Sequence, residues 1–326
     1  MNDQFAQLHS IFTRYNSFVI TSHVNPDADA IGSEVALASY LKNKGKNVLI
    51  INQSETPDHL LFLTSVFPVK TYSSDLDRHI LNAECFCVID TNSPKRFSAM
   101  AETVAKSTAY KVCIDHHLEQ EAFADLYVVD TDVPAASELL YRIIVSDDPD
   151  AITRPIADAL YAGIMTDTGS FKFPKTDDET HTITADLLRR GVDPYAIYQE
   201  IYESGQINKL HLLGKALERI EVHHDGRIAT MSLPKSVLIE TKTAESDVDN
   251  LTQYVLSIKG VVVGLVFIEQ ADGVKISFRS KGDIAINTVA KQFGGGGHKN
   301  ASGARLKHIT LQDAVTAVLA KTIEIL

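Results

Sequence analysis

Successive apolar runs of this chain each end in acidic or histidine side chains, and this pattern constrains the fold more than any other feature. The runs lie at 18–20, 85–89, 112–114 and 162–166 and are typical of buried strands or helices. The side chains that follow them are His23, Asp27 and Asp29, then Asp90, then Asp115, His116 and His117, and finally Asp167. Because ligands of open α/β sheets gather at the carboxyl ends of strands, one shared site is predicted. Four aspartates with several histidines favour two metal ions there.

The first half of the chain alternates strand-like and helix-like segments. Predicted strands lie at 17–22, 48–51, 85–89, 111–114 and 127–129, and predicted helices at 30–43, 98–106, 135–144, 156–165 and 180–190. Gly45 and Gly191 end two of these helices. This alternation predicts an α/β fold whose parallel sheet is covered on both faces.

The second half has a different character and predicts a smaller α/β domain. Asp225-Gly226 and Asp272-Gly273 are hairpin signals between strand-like runs. Helices at 284–293 and 311–325 are expected to pack on the resulting sheet. We therefore expect a catalytic domain at 1–192, a helical connector at 193–217 and a substrate-binding domain at 218–326.

Composition limits the classes of partner and the compartment. The net charge of −11 argues against a binder of long nucleic acid, although seven basic residues and one acidic residue lie between Lys275 and His308. That local patch suits a small phosphorylated ligand, or it is simply a solvated face. No apolar stretch has the length of a membrane span. Three cysteines in predicted core strands favour a reducing cytoplasm. The oligomeric state stays open, a homodimer included.

Individually, the acidic motifs also have structural interpretations. An Asn-Pro-Asp turn with an aspartate capping the helix at 30–43 accounts for Asp27 or Asp29, but not for both, nor for His23. An aspartate after a strand, such as Asp90, is often only a loop residue or a cap. The Asp-His-His run is stronger, since a carboxylate beside two imidazoles supplies ligands, an orienting group and a proton donor.

Together, these motifs resemble those of the DHH phosphoesterases. The matching segments are His-x-Asn-Pro-Asp-x-Asp-Ala-Ile-Gly-Ser from His23, Asp90-Thr91, Asp115-His116-His117, and Gly-Ile-Met-Thr-Asp-Thr-Gly from Gly163. The second half resembles the DHH-associated C-terminal domain through Phe-Arg-Ser-Lys-Gly at 278–282 and the Gly-rich segment at 294–303. The resemblance spans nearly the whole chain. It implies a parallel-sheet DHH domain followed by a smaller substrate-binding domain.

The resemblance implies a division of ligands between two divalent metal ions. One ion would take His23, Asp27 and Asp90, and the other would take Asp29, Asp90, His116 and Asp167, so that Asp90 bridges the two. Imidazole beside oxygen ligands favours Mn²⁺ over Mg²⁺. Ala28 stands where the motif commonly has glycine.

Further residues are expected to contact the substrate or assist the reaction. By resemblance, Asp115 would lie behind the ligands, and His117 would contact the phosphate or protonate the leaving group, its alternative being packing beside His116. Phe171 and Phe173 are assigned structural roles. Substrate binding is expected of Arg279, Lys281, Gly295, Gly296, Gly297, His298 and, with surface solvation an equal alternative, Arg96.

Within the family, the compact two-domain form most resembles the oligoribonucleases, or nanoRNases, that also dephosphorylate 3'-phosphoadenosine 5'-phosphate (pAp). The expected activity is hydrolysis of short RNA to mononucleotides and removal of the 3'-phosphate of pAp. The alternative enzyme is a phosphodiesterase for pApA or c-di-AMP. A nucleotide-binding regulator without catalysis is a further alternative, which the complete ligand set disfavours.

Overall fold

The structure is a computed structural model and describes residues 2–97, 99–118 and 120–326. The chain divides into two compact units, Met1–Ser204 and Gly205–Leu326. Among the helices of the described residues, none combines the length and apolar character needed to cross a bilayer.

The first unit is built on a six-stranded sheet in which every neighbouring pair is parallel. Its strands are β1 (Ser17–Thr21), β2 (Asn47–Asn52), β3 (Val69–Thr71), β4 (Cys85–Ile89), β5 (Tyr110–Asp115) and β6 (Leu126–Val129). Their order across the sheet is β3-β2-β1-β4-β5-β6. All five residues of β4 are buried, as expected for a parallel strand covered on both faces. The predicted α/β class and parallel sheet are confirmed.

Helices cover both faces of this sheet. They are α1 (Asn2–Arg14), α2 (Ala28–Asn43), α3 (Leu61–Thr64), α4 (Asp77–Asn82), α5 (Met100–Lys106), α6 (Ala136–Asp147), α7 (Arg154–Asp167), α8 (Asp178–Arg189) and α9 (Pro194–Tyr198). Side chains alternate along β1, so that Ile20 packs in the cluster that includes Ile31 of α2, whereas Val19 packs in the cluster that includes Ile80 of α4. Burial on both faces positions the strand ends rigidly.

The second unit contains a six-stranded mixed sheet. Its strands are β7 (Ile220–His223), β8 (Ile228–Leu233), β9 (Val263–Glu269), β10 (Gly273–Ser280), β11 (Gly296–His298) and β12 (Ala301–Lys307), and its helices are α10 (Ile207–Leu217), α11 (Lys235–Thr241), α12 (Thr252–Leu256), α13 (Asn287–Gln292) and α14 (Leu311–Ile323). The strand order is β11-β12-β10-β9-β8-β7, and only the β8–β9 pair is parallel. Both predicted hairpins, β7–β8 and β9–β10, are present.

Several elements differ from the sequence prediction. Helices α1, α3, α4, α11 and α12 and the short edge strands β3 and β11 were not predicted. The helix predicted at 284–293 is limited to the six residues of α13. Of the helix predicted at 98–106, the structure has Met100–Lys106, and Ser98 lies outside the described residues. Short or moderately apolar elements carry too few periodic positions for the pattern to identify them.

Candidate metal centre

The predicted metal ligands meet at the carboxyl ends of β1, β4 and β5. The strand order reverses at the β1–β4 boundary, which is where open α/β sheets form a crevice. His23 follows β1 by two residues, Asp90 follows β4 directly, and His116 follows β5 directly. The topology thus brings residues from distant parts of the sequence to one place.

Asp27 has two neighbours of different kinds. Its Oδ1 caps helix α2 by accepting hydrogen bonds of 3.0 Å from the backbone amides of Asp29 and Ala30. Its Oδ2 lies 3.9 Å from Nε2 of His23. The capping interpretation is therefore correct for this residue, and one carboxylate oxygen still faces the histidine.

Asp29 is buried and lies at the amino end of another helix. Its carboxylate accepts hydrogen bonds from the amides of Ala136 (2.7 Å) and Ser137 (2.9 Å), which open helix α6. The partial positive charge of a helix amino terminus stabilises an anion in this position. Oδ2 of Asp29 is also 3.9 Å from Nε2 of His116. Each of the two aspartates in the motif thus caps a different helix.

Asp90 lies at the centre of the cluster. Its two carboxylate oxygens reach different histidines, because Oδ2 is 3.3 Å from Nε2 of His23 and Oδ1 is 3.3 Å from Nε2 of His116. The backbone of Asp90 has a φ of +57°, a left-handed conformation that is uncommon for residues other than glycine. Its amide donates to the carbonyl of Ile114 at 3.0 Å, which holds the turn against β5. Such strained residues concentrate at functional sites.

Both histidines point the same ring nitrogen at the carboxylates. Nδ1 of His23 is 2.9 Å from the carbonyl of Val24, and Nδ1 of His116 is 3.4 Å from the carbonyl of Val133. A carbonyl only accepts hydrogen bonds, so Nδ1 carries a proton, and Nε2, which faces Asp90, has a lone pair in the neutral ring and a second proton in the imidazolium form. Two electron-rich atoms at 3.3 Å need a cation or a proton between them. This arrangement is typical of histidine ligands, whose Nδ1–H is held by a backbone carbonyl.

The pKa values of the cluster reflect this need for positive charge. Burial lowers the pKa of His116, but the carboxylates of Asp90, Asp29 and Asp167 outweigh burial and raise it to about 9. Burial also raises the pKa of Asp90, and its hydrogen bonds with His116 and His23 more than reverse this shift, so that its pKa lies below the ordinary value. Histidine protons therefore compensate the carboxylates of the metal-free cluster.

Asp167 completes the second half of the cluster. It is the last residue of α7, and its Oδ2 is 3.3 Å from Nε2 of His116. Burial raises its pKa to about 6, with a further contribution from the charge of Asp90. Burial and the charges of Asp90 and Asp167 also raise the pKa of Asp29. Buried carboxylates in such proximity favour bound cations.

The described residues form three groups of potential metal ligands, two of which fit the predicted division; the third, Asp90, His116 and His117, overlaps them. The ligand atoms of each group lie within 4.8 Å of one another, and the two groups that fit are His23, Asp27 and Asp90, and Asp29, His116 and Asp167. Asp90 contacts both groups through separate oxygens. The nitrogen and oxygen donors and the directed Nε2 lone pairs suit divalent transition metals. The individual ligand assignments remain predictions.

His117 and Asp115 form a pair beside this cluster. Asp115 is fully buried, and its Oδ1 is 2.8 Å from Nδ1 of His117, whose side chain is 44% exposed. The contact with Asp115 fixes the orientation of the His117 imidazole. Asn92, which sequence reasoning did not identify, donates from Nδ2 to the carbonyl of His117 at 3.0 Å and holds this loop. The position of Asn92, two residues after Asp90, was the sequence signal that could have identified it.

Arg96 lies in the turn Pro94–Phe97, close to His23. Its carbonyl accepts a hydrogen bond of 2.7 Å from the amide of Val24, which joins the two loops. Burial is the largest influence on the pKa of His23 and lowers it, and the charge of Arg96 also lowers it. The hydrogen bond and the charge of Asp90 raise this pKa, so that overall it lies above the ordinary value. Arg96 is half-buried. The phosphate contact expected of Arg96 remains a prediction, with surface solvation as its alternative.

In the second unit, Arg279 and His298 lie on one face of the sheet. Residue 279 of β10 pairs with Ala301 of β12, which pairs with residue 298 of β11. Directly paired residues project to the same face of a sheet. Lys281 follows β10 and is exposed. The expected binding residues Arg279, Lys281 and His298 therefore lie toward the same end of strands β10, β12 and β11, and their contact with substrate remains a prediction.

The glycine segment has a structural role that its composition did not reveal. A Cβ at Gly295 would lie 2.2 Å from the carbonyl oxygen of Gly303, and one at Gly297 would lie 2.6 Å from that of Ala301. Both glycines thus permit β11 to approach β12 closely. Gly294 and Gly296 have open space around them, with nothing within 4 Å of a Cβ at either position. The segment is a tight strand pairing and not a flexible linker.

Gly163 of α7 is required where helices α7, α2 and α6 meet below the cluster. A Cβ there would lie 2.0 Å from Oγ of Ser137 and 2.7 Å from Oδ1 of Asp29. We expect Gly163→Ala to lower the free energy of unfolding by about 1–3 kcal/mol through overpacking and to reduce activity by displacing Asp29. Urea unfolding and activity assays measure both effects.

The matched control is Gly214→Ala in helix α10, where nothing lies within 4 Å. Alanine favours the helix, so the control should be neutral or stabilising by up to about 1 kcal/mol. Equal stability of Gly163→Ala and wild type would contradict the close approach described for Gly163.

Comparison with known proteins agrees with this arrangement. Residues 17–164 match the family model described as DHH family, N-terminal domain, and residues 228–325 match the DHHA1 domain. Two relatives named bifunctional oligoribonuclease and PAP phosphatase NrnA are similar to the chain. The Bacillus subtilis protein is 28% identical, with 94% of each chain covered, and the Thermus thermophilus protein is 31% identical, with 92% of this chain and 87% of the relative covered.

Other relatives refine the comparison. The crystal structure of an exopolyphosphatase-related protein from Bacteroides fragilis is 32% identical and has a TM-score of 0.93, covering 99% of this chain and 96% of that one. A cyclic-di-AMP phosphodiesterase, PdeA of Listeria monocytogenes, is more distant, at 24% identity over 94% of this chain and 47% of the relative. Sequence similarity over most of both chains, together with matches to both domain models, shows that this protein belongs to the DHH family.

Proposed function

We propose that this chain is a metal-dependent phosphoesterase that degrades short oligoribonucleotides to mononucleotides and removes the 3'-phosphate of pAp. The observation that carries the proposal is the pair of neighbouring ligand groups whose histidines both contact Asp90, with the exposed His117 beside them. The names of the two relatives that are similar over most of their length supply the substrate class. The more distant similarity to PdeA makes the cyclic-dinucleotide alternative less favoured.

Two divalent cations, with Mn²⁺ preferred, are proposed for the cluster. His23, Asp27 and Asp90 would hold one cation, and Asp29, Asp90, His116 and Asp167 the other. Bound cations of this kind supply Lewis acidity and lower the pKa of a coordinated water. Mixed imidazole and carboxylate donors favour Mn²⁺ over Mg²⁺, which prefers oxygen ligands and retained water.

The residues around the cluster have distinct tasks in this proposal. Asp115 fixes the orientation of His117 through the 2.8 Å contact with Nδ1, so that Nε2 of His117 can donate a proton to the leaving ribose oxygen. Arg96, beside His23, neutralises charge on a phosphate oxygen. Asp29 and Asp27 hold helices α6 and α2 in place while they present their remaining carboxylate lone pairs.

The second unit is proposed to bind the part of the substrate that does not react. Arg279 and Lys281 would pair with phosphate, and His298 with the backbone around Gly295, Gly296 and Gly297 would contact the terminal nucleotide. A small set of fixed contacts favours short substrates, because it provides no continuous basic track for a long strand. The net charge of −11 also disfavours binding of long nucleic acid.

A cytoplasmic location is part of the proposal. Cys85, Cys87 and Cys113 are all buried and unpaired as disulfides, which suits a reducing compartment. The proposal includes no membrane partner, and it leaves a homodimer as one option for the assembly.

The proposal predicts a specific order of substrate use. With Mn²⁺ present, a diribonucleotide and pAp should be hydrolysed rapidly, a 24-residue RNA slowly and c-di-AMP slowly, as measured by chromatography of products over time. Treatment with EDTA should remove all activity, and added Mn²⁺ should restore more of it than Mg²⁺ does.

Other outcomes separate the alternatives. Preferential hydrolysis of c-di-AMP would overturn the oligoribonuclease proposal in favour of cyclic-dinucleotide turnover. Metal-free protein that binds nucleotide tightly but hydrolyses none of the four substrates after Mn²⁺ is added would identify a regulator. The metal content of the protein as purified, from plasma mass spectrometry, tests the two-cation assignment directly.

A further inference from the structure

A strained turn follows Asp167 directly and has no role in the proposed metal centre. Gly169, Ser170 and Phe171 adopt φ values of +58°, +60° and +65°. Three successive left-handed residues are rare, and two of them carry side chains for which this conformation is unfavourable. A strained backbone next to a functional residue indicates that the surrounding structure maintains the turn for a purpose.

The turn is fixed by hydrogen bonds and ring contacts. The buried Thr168 accepts hydrogen bonds of 3.0 Å from two amides, that of Phe171 at its Oγ1 and that of Phe173 at its carbonyl. The ring of Phe171 packs between Tyr161 and His181, with centroid distances of 6.2 and 5.6 Å. The structural role expected of Phe171 is therefore correct. These contacts place the following residues rigidly with respect to Asp167.

Phe173 has a different environment from Phe171. Its side chain is 49% exposed, although it follows a rigid turn. One part of the ring lies on Gly169, where a Cβ would be 2.5 Å from the ring atom Cζ. Nζ of Lys172 lies 5.8 Å from the ring centroid. A single exposed aromatic residue is ordinary on a protein surface, but this ring is held against Gly169, which lies two residues after the predicted metal ligand Asp167.

We propose that Phe173 is a stacking platform for a nucleobase of the substrate, which makes it a specificity-determining residue. The inference rests on the proposed function, because it requires a nucleotide at the metal centre. Stacking on an aromatic ring is tolerant of base identity, since every base presents a π-face. Phe173 thus selects nucleotides over other phosphate esters without selecting one base. Lys172, whose Nζ lies 5.8 Å from the ring centroid, adds a positive charge next to the platform.

The test compares a 5'-phosphorylated adenylyl dinucleotide with the same molecule lacking its bases. Phe173→Ala should raise KM for the dinucleotide about tenfold or more and leave its kinetics with the abasic molecule unchanged. Phe173→Tyr should behave as wild type, because tyrosine also stacks. The matched control is Tyr195→Ala, which removes a 64% exposed ring of α9. It should leave the KM for both substrates unchanged.

A binding measurement provides a readout that is independent of turnover. The chain contains no tryptophan, so Phe173→Trp introduces a single tryptophan at the platform, whose emission can be excited apart from that of the tyrosines. AMP should quench its emission, whereas ribose 5-phosphate should not. Tyr195→Trp serves as the control and should respond to neither ligand.

The outcomes separate this inference from the proposed function. If wild type hydrolyses the dinucleotide and Phe173→Ala has unchanged KM, stacking is wrong and the proposed function stands. If Phe173→Ala loses activity equally with both substrates, Phe173 supports Asp167 and does not bind a base, which also overturns the inference. If wild type hydrolyses no nucleotide substrate, the proposed function fails and the inference fails with it.

Discussion

Replacement of Asp90 by asparagine is expected to lower the rate of phosphodiester hydrolysis roughly a thousandfold or more while the fold stays intact. Asp90 is the only described residue whose two oxygens contact the histidines of both ligand groups. An amide has one oxygen and no charge, so it cannot join the two groups in the same way. Asparagine preserves the side-chain volume, so we expect the thermal transition of the metal-free variant to remain close to that of wild type.

The measurements are kcat/KM for a diribonucleotide and for pAp, metal content by plasma mass spectrometry, and the thermal transition with and without Mn²⁺. Asp75→Asn, at an exposed position of the same unit, is the matched control and should leave all three unchanged. Retention of more than a few per cent of activity by Asp90→Asn, or of its full metal content, would contradict the bridging assignment.

Substitution of His117 by glutamine should lower kcat by about 10²–10⁴-fold, the range for loss of a positioned general acid. The role is proposed because the 2.8 Å contact with Asp115 occupies Nδ1 and leaves Nε2 as the second ring nitrogen of a side chain that is 44% exposed. The proton donor is needed because a ribose alkoxide is a poor leaving group. The loss should therefore depend on the leaving group.

A p-nitrophenyl ester of a nucleoside 5'-phosphate provides this test, since p-nitrophenolate leaves without a proton. His117→Gln should lose less than tenfold with the ester and at least a hundredfold with a diribonucleotide. His211→Gln, at an exposed position of α10, is the control. Equal losses with both substrates would instead assign His117 to phosphate binding or to packing beside His116, whose ring centroid is 4.6 Å away.

Much of the fold was predictable because strong periodic patterns dominate the first unit. Strand β4 has the predicted bounds, Cys85–Ile89, since five apolar residues bounded by polar ones permit little else. Helix α2 begins at Ala28, two residues earlier than predicted, because the Asp27 cap lies before the first strongly apolar position. The N-terminal helix was missed although Phe5, Leu8, Ile11 and Phe12 are buried at helical spacing, so its amphipathic pattern was an available signal.

The sequence by itself determined which residue types occur at the ends of the strands, and therefore the class of chemistry. A buried parallel strand delivers its next side chains to the sheet edge whatever the rest of the chain does, so His23, Asp90 and His116 could be assigned to one site. The hydrophobic periodicity that predicts each strand depends on local sequence alone. Resemblance to a family then supplied the expected pairing of ligands.

Only the tertiary structure decided how these groups are oriented and supported. The Nδ1 contacts that direct the lone pairs of His23 and His116, the approach of Gly163 to Asp29, and the turn that exposes Phe173 all involve groups from separate elements or an unusual backbone. No local pattern encodes a distance between residues remote in sequence, because packing of the whole core sets it. The same aspartates could otherwise have been read as helix caps, which Asp27 and Asp29 also are.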